Sequence, residues 1–481
     1  MRILRSFALL FALATPAAAQ STSGTALIDT AIARMGGADL LRSLTRVRFE
    51  LMTQWARTAF DARPFADQPS YEWHTDQRDY SLAAWRNTRR FNNGASWVEI
   101  TDIVRDTVAI RRSPGGAGGV ASPASVPPGT WTTLNIAYVD DRDERFAFAP
   151  ERLLLAARSA GDLRAGADTS IAGAPHARFT VTVGKFATTI FVRRSTGMLT
   201  AARFRVAEPN DFGLVPWGEM EVELWYSAWR KQPSGLVYPY QWDERRVAKI
   251  YKRITVLGAQ FNPVAMPDSF AVSDSLRGAY LATARKPMHD LPVDSARIVD
   301  GRFASFNTPG TPAGAVKIGG VWVLLEGGQA PLSVERASTW LAHTEGGGPL
   351  VAALVTMPST GSGGAAWLSS HGVALHVAPG AAPFVDAVMR GNGATSRTVQ
   401  VETKGRWMRV GSDSLWVEPI DLADAPGALV AYAPSLNWVY SGMAASAIHL
   451  DRVLAVAKAR GWRVTHVGSA RAVATAIKPA V

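Results

Sequence analysis

Two stretches in the second half of the chain decide its fold class: VWVLLE at Val321–Glu326 and LVAALVTMPSTGSGG at Leu350–Gly364. Each begins with five or six consecutive apolar residues, the pattern of a strand that is buried on both faces. Between them, Pro331 opens a segment with helical spacing, and a third strand is predicted at Val373–Val377. Strands that alternate with helices predict a layered α/β structure for this half.

The first half has a different period. From about Arg46 to Val272, apolar and polar residues alternate, which predicts many short antiparallel strands in one large curved sheet. The clearest strand is Trp217–Tyr226, where apolar and acidic residues alternate as Glu219, Met220, Glu221, Val222, Glu223 and Leu224. The chain therefore belongs to the α+β class, with an N-terminal antiparallel sheet and a C-terminal layered domain.

Two helices interrupt the strands of the first half, at Thr25–Ser43 and Pro150–Ala160. The second is rich in leucine and is suited to cover the concave face of the sheet. Leaving that apolar face wet would cost about 25 cal/mol for each Å². We therefore predict that Pro150–Ala160 plugs the sheet and that any lipid-sized cavity there is small. A curved sheet with a helix across it also resembles periplasmic lipid carriers, by analogy of fold only.

The first 19 residues have the pattern of a secretory signal peptide. Arg2 and Arg5 form a positive start, Phe7–Ala14 is a short apolar core, and Ala17–Ala19 is a small-residue cleavage site. No later stretch offers about 18 uninterrupted apolar residues, so no transmembrane segment is predicted. We expect a periplasmic or secreted protein with a β-rich domain at 20–281, a linker at 282–297 and a second domain at 298–481.

Composition excludes several kinds of chemistry. The 481 residues include no cysteine, which excludes disulfides, thiolate metal sites and a cysteine nucleophile. The 51 basic and 40 acidic residues are spread along the chain, so the net charge of +11 indicates no basic tail. Arginines near aromatic residues can bind nucleic acid, but export and alternation favour a solvated sheet face instead. These arginines are Arg86, Arg89, Arg90, Arg111, Arg112, Arg193, Arg194, Arg245 and Arg246.

Three phrases of the second half carry a resemblance. VTMPSTGSGGAAW at Val355–Trp367 places paired glycines after a buried strand, and GALVAYAPSLNWVYSGM at Gly427–Met443 joins two apolar strands through a proline turn. GWRVTHVG at Gly461–Gly468 follows a helix as a closing strand. In this order they resemble the metallo-β-lactamase superfamily over about Ile298–Val481. The resemblance implies an αββα fold here and a β-rich extension like that of exported members in the N-terminal half.

The resemblance also implies where metal ligands would stand, and this sequence has other residues there. The four ligand positions of the family's H-x-H-x-D-H motif fall on Thr356, Pro358, Thr360 and Gly361. The family's next histidine falls on Asp424, its bridging aspartate on Gly442 and its last histidine on Val467. Zinc needs about three or four converging N, O or S donors, which Thr, Pro, Gly and Val side chains do not supply. We therefore expect the fold of the family with no metal and no other cofactor.

A rearranged metal site is the alternative. No two of the eight histidines stand one, three or four positions apart along the chain, and the closest pair, His371 and His376, is five positions apart. In the expected fold, His376, Asp421, Asp424 and His466 could approach one mouth and hold zinc. The competing interpretation is that they are solvated acids and surface histidines, which are the commoner case.

Nucleophilic catalysis has no clear signature in the sequence. The run Ser359–Gly364 lacks the G-x-S-x-G pattern of a nucleophile elbow. Its backbone N–H groups could hold an anion, although a tight turn kept small for packing is favoured. Ser370 and His371 are adjacent, and adjacency alone assigns them no role.

The sequence names no catalytic residue and no oligomeric state. We expect an exported, non-catalytic protein with a metallo-β-lactamase-like fold that binds or scaffolds a protein or small-molecule ligand, and not nucleic acid. The alternative is a metal-dependent hydrolase of the same superfamily with a rearranged site.

Overall fold

The computed structural model describes residues 17–57, 68–92, 97–112, 129–134, 137–207, 219–246, 249–264, 267–284, 293–308, 311–328, 331–344, 346–357, 361–391, 394, 399–470 and 472–477. Most of the predicted signal peptide, and Pro358 and Thr360 of the motif, lie outside these residues. Within the described part of the chain, no helix is long and apolar enough to cross a membrane.

The described residues form an α+β protein, as predicted. In its first part, the helices are α1 (Ala17–Arg34), α2 (Ala38–Ser43), α3 (Ala137–Ala147), α4 (Pro150–Ser159) and α5 (Asp274–Ala284). The strands are β1 (Arg46–Arg57), β2 (Gln68–Asp79), β3 (Ala84–Asn92), β4 (Trp97–Arg105), β5 (Val108–Arg112), β6 (Trp131–Thr133), β7 (Arg164–Ala165), β8 (Thr169–Ile171), β9 (Ala174–Val183), β10 (Phe186–Arg193), β11 (Leu199–Ala207), β12 (Glu219–Lys231), β13 (Val237–Arg246) and β14 (Lys249–Phe261).

The chain divides into two compact units. The first contains the described residues of Met1–Thr45, Asp143–Arg205 and Val222–Glu244, and the second contains those of Arg46–Arg142, Val206–Glu221 and Arg245–Val481. The predicted linker at 282–297 includes the end of α5, and residues 285–292 within it lie outside the described residues. The domain boundaries stay a prediction.

In the first unit, α4 packs against an antiparallel sheet with the strand order β7-β9-β10-β11-β12-β13. Leu153 and Leu154 of α4 are fully buried. Just before the helix, the ring of Phe148 stacks on Phe204 at 3.7 Å between centroids. The hydroxyl of Tyr226 on β12 donates to the Phe148 carbonyl at 2.7 Å. These contacts fix the beginning of the helix on the sheet.

Strand β12 follows its predicted alternation only in part. Val222 is buried and Glu221 is exposed, as expected, whereas Leu224 and Glu223 are both half-buried. Glu223 is only partly exposed because its carboxylate accepts hydrogen bonds from Arg203 on β11, at 2.6 and 2.9 Å. A cross-strand ion pair of this kind stabilises a sheet surface without changing which face is apolar.

In the second unit, β1–β6 and β14 form an antiparallel series with the order β6-β5-β4-β3-β2-β1-β14. The interpretation of the arginines as a solvated sheet face does not hold for all of them. Arg111 on β5 donates two hydrogen bonds, at 2.6 and 2.9 Å, to the buried carboxylate of Asp102 on β4, and Arg246 at the end of β13 is itself buried. The period-two pattern identifies the two faces of a strand, but it does not show that a buried acid on the neighbouring strand pairs with an arginine.

The second unit continues into two mixed sheets. The first sheet has the strand order β15 to β21, with β15 (Asp294–Val299), β16 (Phe303–Thr308), β17 (Thr311–Ile318), β18 (Val321–Leu325), β19 (Leu350–Val355), β20 (Ala374–Val377) and β21 (Val399–Val401). The second runs from β22 to β27, with β22 (Arg406–Val410), β23 (Asp413–Pro419), β24 (Leu429–Ala433), β25 (Trp438–Tyr440), β26 (His466–Gly468) and β27 (Thr475–Ala476). The helices are α6 (Pro331–His343), α7 (Ala365–Ser370), α8 (Ala382–Gly391) and α9 (Ala447–Ala459).

These two sheets pack face to face with helices outside. Leu325 of β18 and Leu354 of β19 share an apolar cluster with Leu429 of β24 from the other sheet. The opposite face of the first sheet packs against α6, α7 and α8, and the opposite face of the second sheet packs against α9 through Val453. Burial on both faces explains why β18 and β19 are continuously apolar. The resulting layers are helices, sheet, sheet and helix.

Candidate functional site

A buried carboxylate lies at the end of the inter-sheet core. Glu326 directly follows β18 and is 1% exposed. Its backbone has a φ of +70°, in the left-handed region that non-glycine residues seldom adopt. Thr356 directly follows the parallel neighbour β19, so both residues stand at the carboxyl ends of adjacent strands. Tyr440 comes from the end of β25 in the facing sheet.

The Glu326 carboxylate accepts hydrogen bonds from both sheets. The backbone N–H groups of Thr356 and Met357 donate to Oε2 at 3.0 and 2.9 Å. The Tyr440 hydroxyl donates to Oε1 at 3.2 Å, and the Thr356 hydroxyl is bonded to the same oxygen. All of these donors are neutral. Burial therefore dominates and raises the pKa of Glu326 to about 7, although the hydrogen bonds from Thr356 and Met357 act in the opposite direction.

Tyr440 responds to the same environment. Burial, together with the neighbouring Glu326 carboxylate, raises its pKa well above the usual 10. The Tyr440 phenol therefore stays protonated and remains a donor to Glu326.

Two glycines leave the space that the carboxylate fills. A Cβ on Gly361 would collide with Glu326 Oε2, and a Cβ on Gly442 would lie 2.8 Å from Glu326 Oε1 and 2.7 Å from Thr356 Oγ1. The backbone N–H of Gly442 also donates to Thr356 Oγ1 at 2.7 Å. Any larger residue at either position would have to displace the Glu326 side chain.

The site unites three of the positions at which the family resemblance places metal ligands. Thr356, Gly361 and Gly442 surround the Glu326 carboxylate. Asp424 is exposed and pairs with His449, whereas Val467 is buried in the apolar cluster beneath α9. Pro358 and Thr360 lie outside the described residues.

The residues of this site do not fit a zinc ion. Zinc sites use three or four imidazole, thiolate or carboxylate ligands, whereas this pocket offers one carboxylate and two neutral hydroxyls. The Glu326 carboxylate already accepts hydrogen bonds from four donors, and a metal ion would have to displace these donors. Among the residues that the structure describes, no three His, Asp or Glu side chains lie close enough together to hold a metal.

His376, the first residue of the alternative metal site, has a partner of its own. Its Nδ1 lies 2.7 Å from Oε1 of Glu402, and both side chains are buried. Arg406 donates two further hydrogen bonds to Glu402 at 2.7 and 2.8 Å. Burial acts to raise the pKa of Glu402, but the hydrogen bonds and charges of His376 and Arg406 outweigh it and lower that pKa.

The other three candidates lie in separate surroundings. Nδ1 of His466 on β26 is 2.9 Å from the Thr465 hydroxyl, and its ring lies 6.2 Å from that of Phe303. Asp424 pairs with His449 at 2.9 Å. Asp421 is exposed. His376, His466 and Asp424 therefore each contact a different neighbour.

Sequence reasoning missed the residues at the centre of the site. Glu326 was visible as an acid at the end of an apolar strand, but it was not predicted as a site residue. Tyr440 gave no signal, because a tyrosine in an apolar strand is normally a core residue. An acid placed directly after five apolar residues in VWVLLE was the available sign, since buried carboxylates need partners.

No protein-family model and no curated protein matches this chain. Among solved structures, an outer membrane lipoprotein-sorting protein domain from Vibrio parahaemolyticus is 6% identical, with 52% of this chain and 97% of that chain covered and a TM-score of 0.30. A metallo-β-lactamase from Pontibacter korlensis is 14% identical, with coverages of 37% and 90% and a TM-score of 0.28.

A metallo-β-lactamase from Pseudomonas aeruginosa, in its mono-zinc form, is 16% identical, with 40% of this chain and 91% of that chain covered and a TM-score of 0.28. The C-terminal module is described by its layers of helices and sheets and by the contacts of Glu326.

Proposed function

We propose that this protein is an exported binding or scaffolding protein whose C-terminal half is a metallo-β-lactamase-like module without metal chemistry. The observation that carries the proposal is the position of the Glu326 carboxylate, which fills the space between Thr356, Gly361 and Gly442. Three positions that would provide ligands in a metalloenzyme instead support one hydrogen-bonded acid. The layered αββα arrangement supports the fold part of the proposal.

In the proposed organisation, residues 1–19 are the signal peptide, 20–281 the β-rich domain, 282–297 the linker and 298–481 the degenerate module. The partner is a protein or a small molecule. Helix α4 buries Leu153 and Leu154, which supports the prediction of a plugged sheet. Extraction of the purified protein with organic solvent, followed by mass spectrometry, tests that prediction, and a stoichiometric lipid would overturn it.

Export has its own test. Expression of the full chain in a bacterium with two membranes, followed by cell fractionation and N-terminal sequencing, should give a periplasmic or secreted protein that begins at Gln20. An intact N-terminus in the cytoplasmic fraction would contradict the proposal of export without affecting the proposal for the C-terminal module.

Metal analysis tests the central claim. The purified full chain is incubated with zinc, iron or manganese, desalted and analysed by elemental mass spectrometry. We expect much less than one equivalent of each metal, because the pocket offers too few charged donors. One or two tightly bound equivalents would overturn the proposal.

The alternative function, a metal-dependent hydrolase with a rearranged site, makes a different prediction in the same experiment. Bound metal would be lost in the variants His376→Ala and His466→Ala and retained in Glu326→Gln. Circular dichroism of each variant would show whether the loss of metal reflects a lost ligand or a lost fold.

A further inference from the structure

A serine, a histidine and an aspartate form a hydrogen-bonded chain at the beginning of α9. Ser446 is the N-cap residue of this helix, His449 lies within its first turn, and Asp424 comes from the segment between β23 and β24. Ser446 and Asp424 are exposed, whereas the His449 side chain is only 12% exposed. The imidazole is thus held in place between two groups that solvent can reach.

The contacts of the two ring nitrogens favour the tautomer of His449 that carries its proton on Nε2. Nε2 lies 3.0 and 2.9 Å from the two carboxylate oxygens of Asp424. An ionised carboxylate only accepts hydrogen bonds, so Nε2 donates to Asp424. In this tautomer Nδ1 is an acceptor, and the Ser446 hydroxyl at 2.8 Å donates to it. A hydroxyl, a base and a group that orients the base are the components of an activated nucleophile.

Helix capping alone would also place a serine here. Ser446 Oγ accepts from the His449 backbone N–H at 3.3 Å, which is the usual N-cap contact. That contact uses a lone pair of the hydroxyl, whereas donation to Nδ1 uses its proton. Both interactions therefore coexist, and capping does not explain why the ring is also bound to Asp424.

A second serine–histidine pair in the same module provides a contrast. Ser370 Oγ lies 3.1 Å from His371 Nδ1. However, this Nδ1 is also 2.8 Å from the Trp367 carbonyl oxygen, to which it must donate. A nitrogen that carries the proton cannot act as a base toward Ser370. The two pairs are similar in distance and opposite in proton position.

We infer that Ser446 is a nucleophile, activated by His449 and positioned by Asp424, that accepts an acyl group from an activated ester. A bond forms between Ser446 Oγ and the carbonyl carbon while the hydroxyl proton moves to His449 Nδ1. The bond from that carbon to the leaving oxygen then breaks, and the leaving oxygen takes the proton from His449. The first backbone N–H groups of a helix have no intrahelical acceptor, so those of Ala447 and Ile448 can bind the transient oxyanion.

Water completes the cycle: its oxygen bonds to the acyl carbon while one of its protons moves to His449 Nδ1, the bond from that carbon to Ser446 Oγ breaks, Oγ takes the proton from His449, and the carboxylic acid leaves. No metal takes part, so this chemistry goes beyond the proposed binding function and does not rest on the Glu326 pocket. A chain that forms an acyl-serine at the start of α9 would still lack metal-dependent hydrolysis. Metal analysis and serine labelling can therefore fail independently of each other.

The test is labelling of the full chain with an alkyl fluorophosphonate, in which Ser446 Oγ displaces fluoride at phosphorus, followed by peptide mapping. We expect one adduct on the peptide that contains Ser446, together with hydrolysis of p-nitrophenyl acetate. Ser446→Asp should abolish both, and it keeps a good N-cap residue so that the helix is preserved. Circular dichroism checks that the fold is unchanged.

Two further variants separate nucleophilic activation from capping. Asp424→Asn should slow adduct formation by about tenfold or more, since it removes the carboxylate that fixes the tautomer, and Asp424→Glu should restore part of the rate. Ser370→Ala is the matched control and should label at the wild-type rate. Absence of an adduct at Ser446, equal labelling at Ser370, or an unchanged rate in Asp424→Asn would each overturn the inference.

Discussion

Two buried glutamates of the C-terminal module have opposite electrostatic surroundings. Glu326 and Glu402 are 1% and 2% exposed, and each accepts several hydrogen bonds. Glu326 is bonded only to neutral donors and has its pKa raised to about 7. Glu402 is paired with His376 and Arg406 and has its pKa lowered. The number of hydrogen bonds is therefore not what sets the charge of a buried acid here, and a cationic partner decides it.

The largest expected effect on stability is that of removing Glu402, which is bonded to both His376 and Arg406. Glu402→Ala should lower the free energy of unfolding by roughly 3–5 kcal/mol, because it leaves His376 buried without its partner. Arg406→Ala should cost much less, since the Arg406 side chain is 44% exposed and water can solvate its surroundings. Chemical denaturation at pH 7 measures both, and equal losses would contradict this interpretation of the pair.

The pH dependence of stability should distinguish Glu326. Between its usual pKa of 4.5 and its folded pKa of about 7, the folded state binds more protons than the unfolded state. Stability contributed by this residue should therefore rise as the pH falls through that window. We expect the stability of the wild type to gain roughly 2–3 kcal/mol over Glu326→Gln between pH 8 and pH 5. A difference that does not vary with pH would show that Glu326 is already ionised at pH 5.

For Glu402 we expect the pH dependence of stability to have the opposite sign and to lie at lower pH. Because its folded pKa lies below 4.5, the stabilising contribution of its ionised form is lost only as the pH falls below that value. The stability of the wild type relative to Glu402→Gln should therefore fall as the pH is lowered below 4.5, whereas its stability relative to Glu326→Gln should rise between pH 8 and pH 5.

Filling the glycine positions should have an intermediate effect. Gly361→Ala should cost roughly 1–3 kcal/mol, because its Cβ overlaps the Glu326 carboxylate. Gly278→Ala in helix α5 is the control, since a Cβ there meets no atom within 4 Å, and it should be neutral or stabilising. Combining Gly361→Ala with Glu326→Ala should cost less than the sum of the two single changes. If the two changes in the free energy of unfolding add strictly in denaturation experiments, the cost of the Cβ at position 361 does not come from its overlap with the Glu326 carboxylate.

The smallest effect concerns the contact from the facing sheet. Tyr440→Phe should cost about 1 kcal/mol at pH 8, where Glu326 is ionised and loses a hydrogen bond. It should also raise the pKa of Glu326 further, since this hydroxyl favours the ionised form. Repeating the pH titration of stability on the variant measures that change, and a lowered midpoint would contradict it.

Local patterns predicted the secondary structure well and the site poorly. Helix α4 (Pro150–Ser159) follows from the leucine-rich segment predicted as a helix at Pro150–Ala160. The apolar strands β18 and β19 follow from their continuous hydrophobicity. By contrast, solvation of Arg111 was predicted wrongly, because its partner Asp102 lies on the neighbouring strand β4.

The sequence by itself determined the strand and helix pattern and the α+β class, because these depend on side-chain chemistry and short-range periodicity. Only the tertiary structure decided what surrounds Glu326. Its partners Thr356 and Tyr440 are 30 and 114 residues away along the chain, and they meet it because two sheets pack face to face. Protonation and ligand binding depend on such convergence in space, which no local pattern encodes.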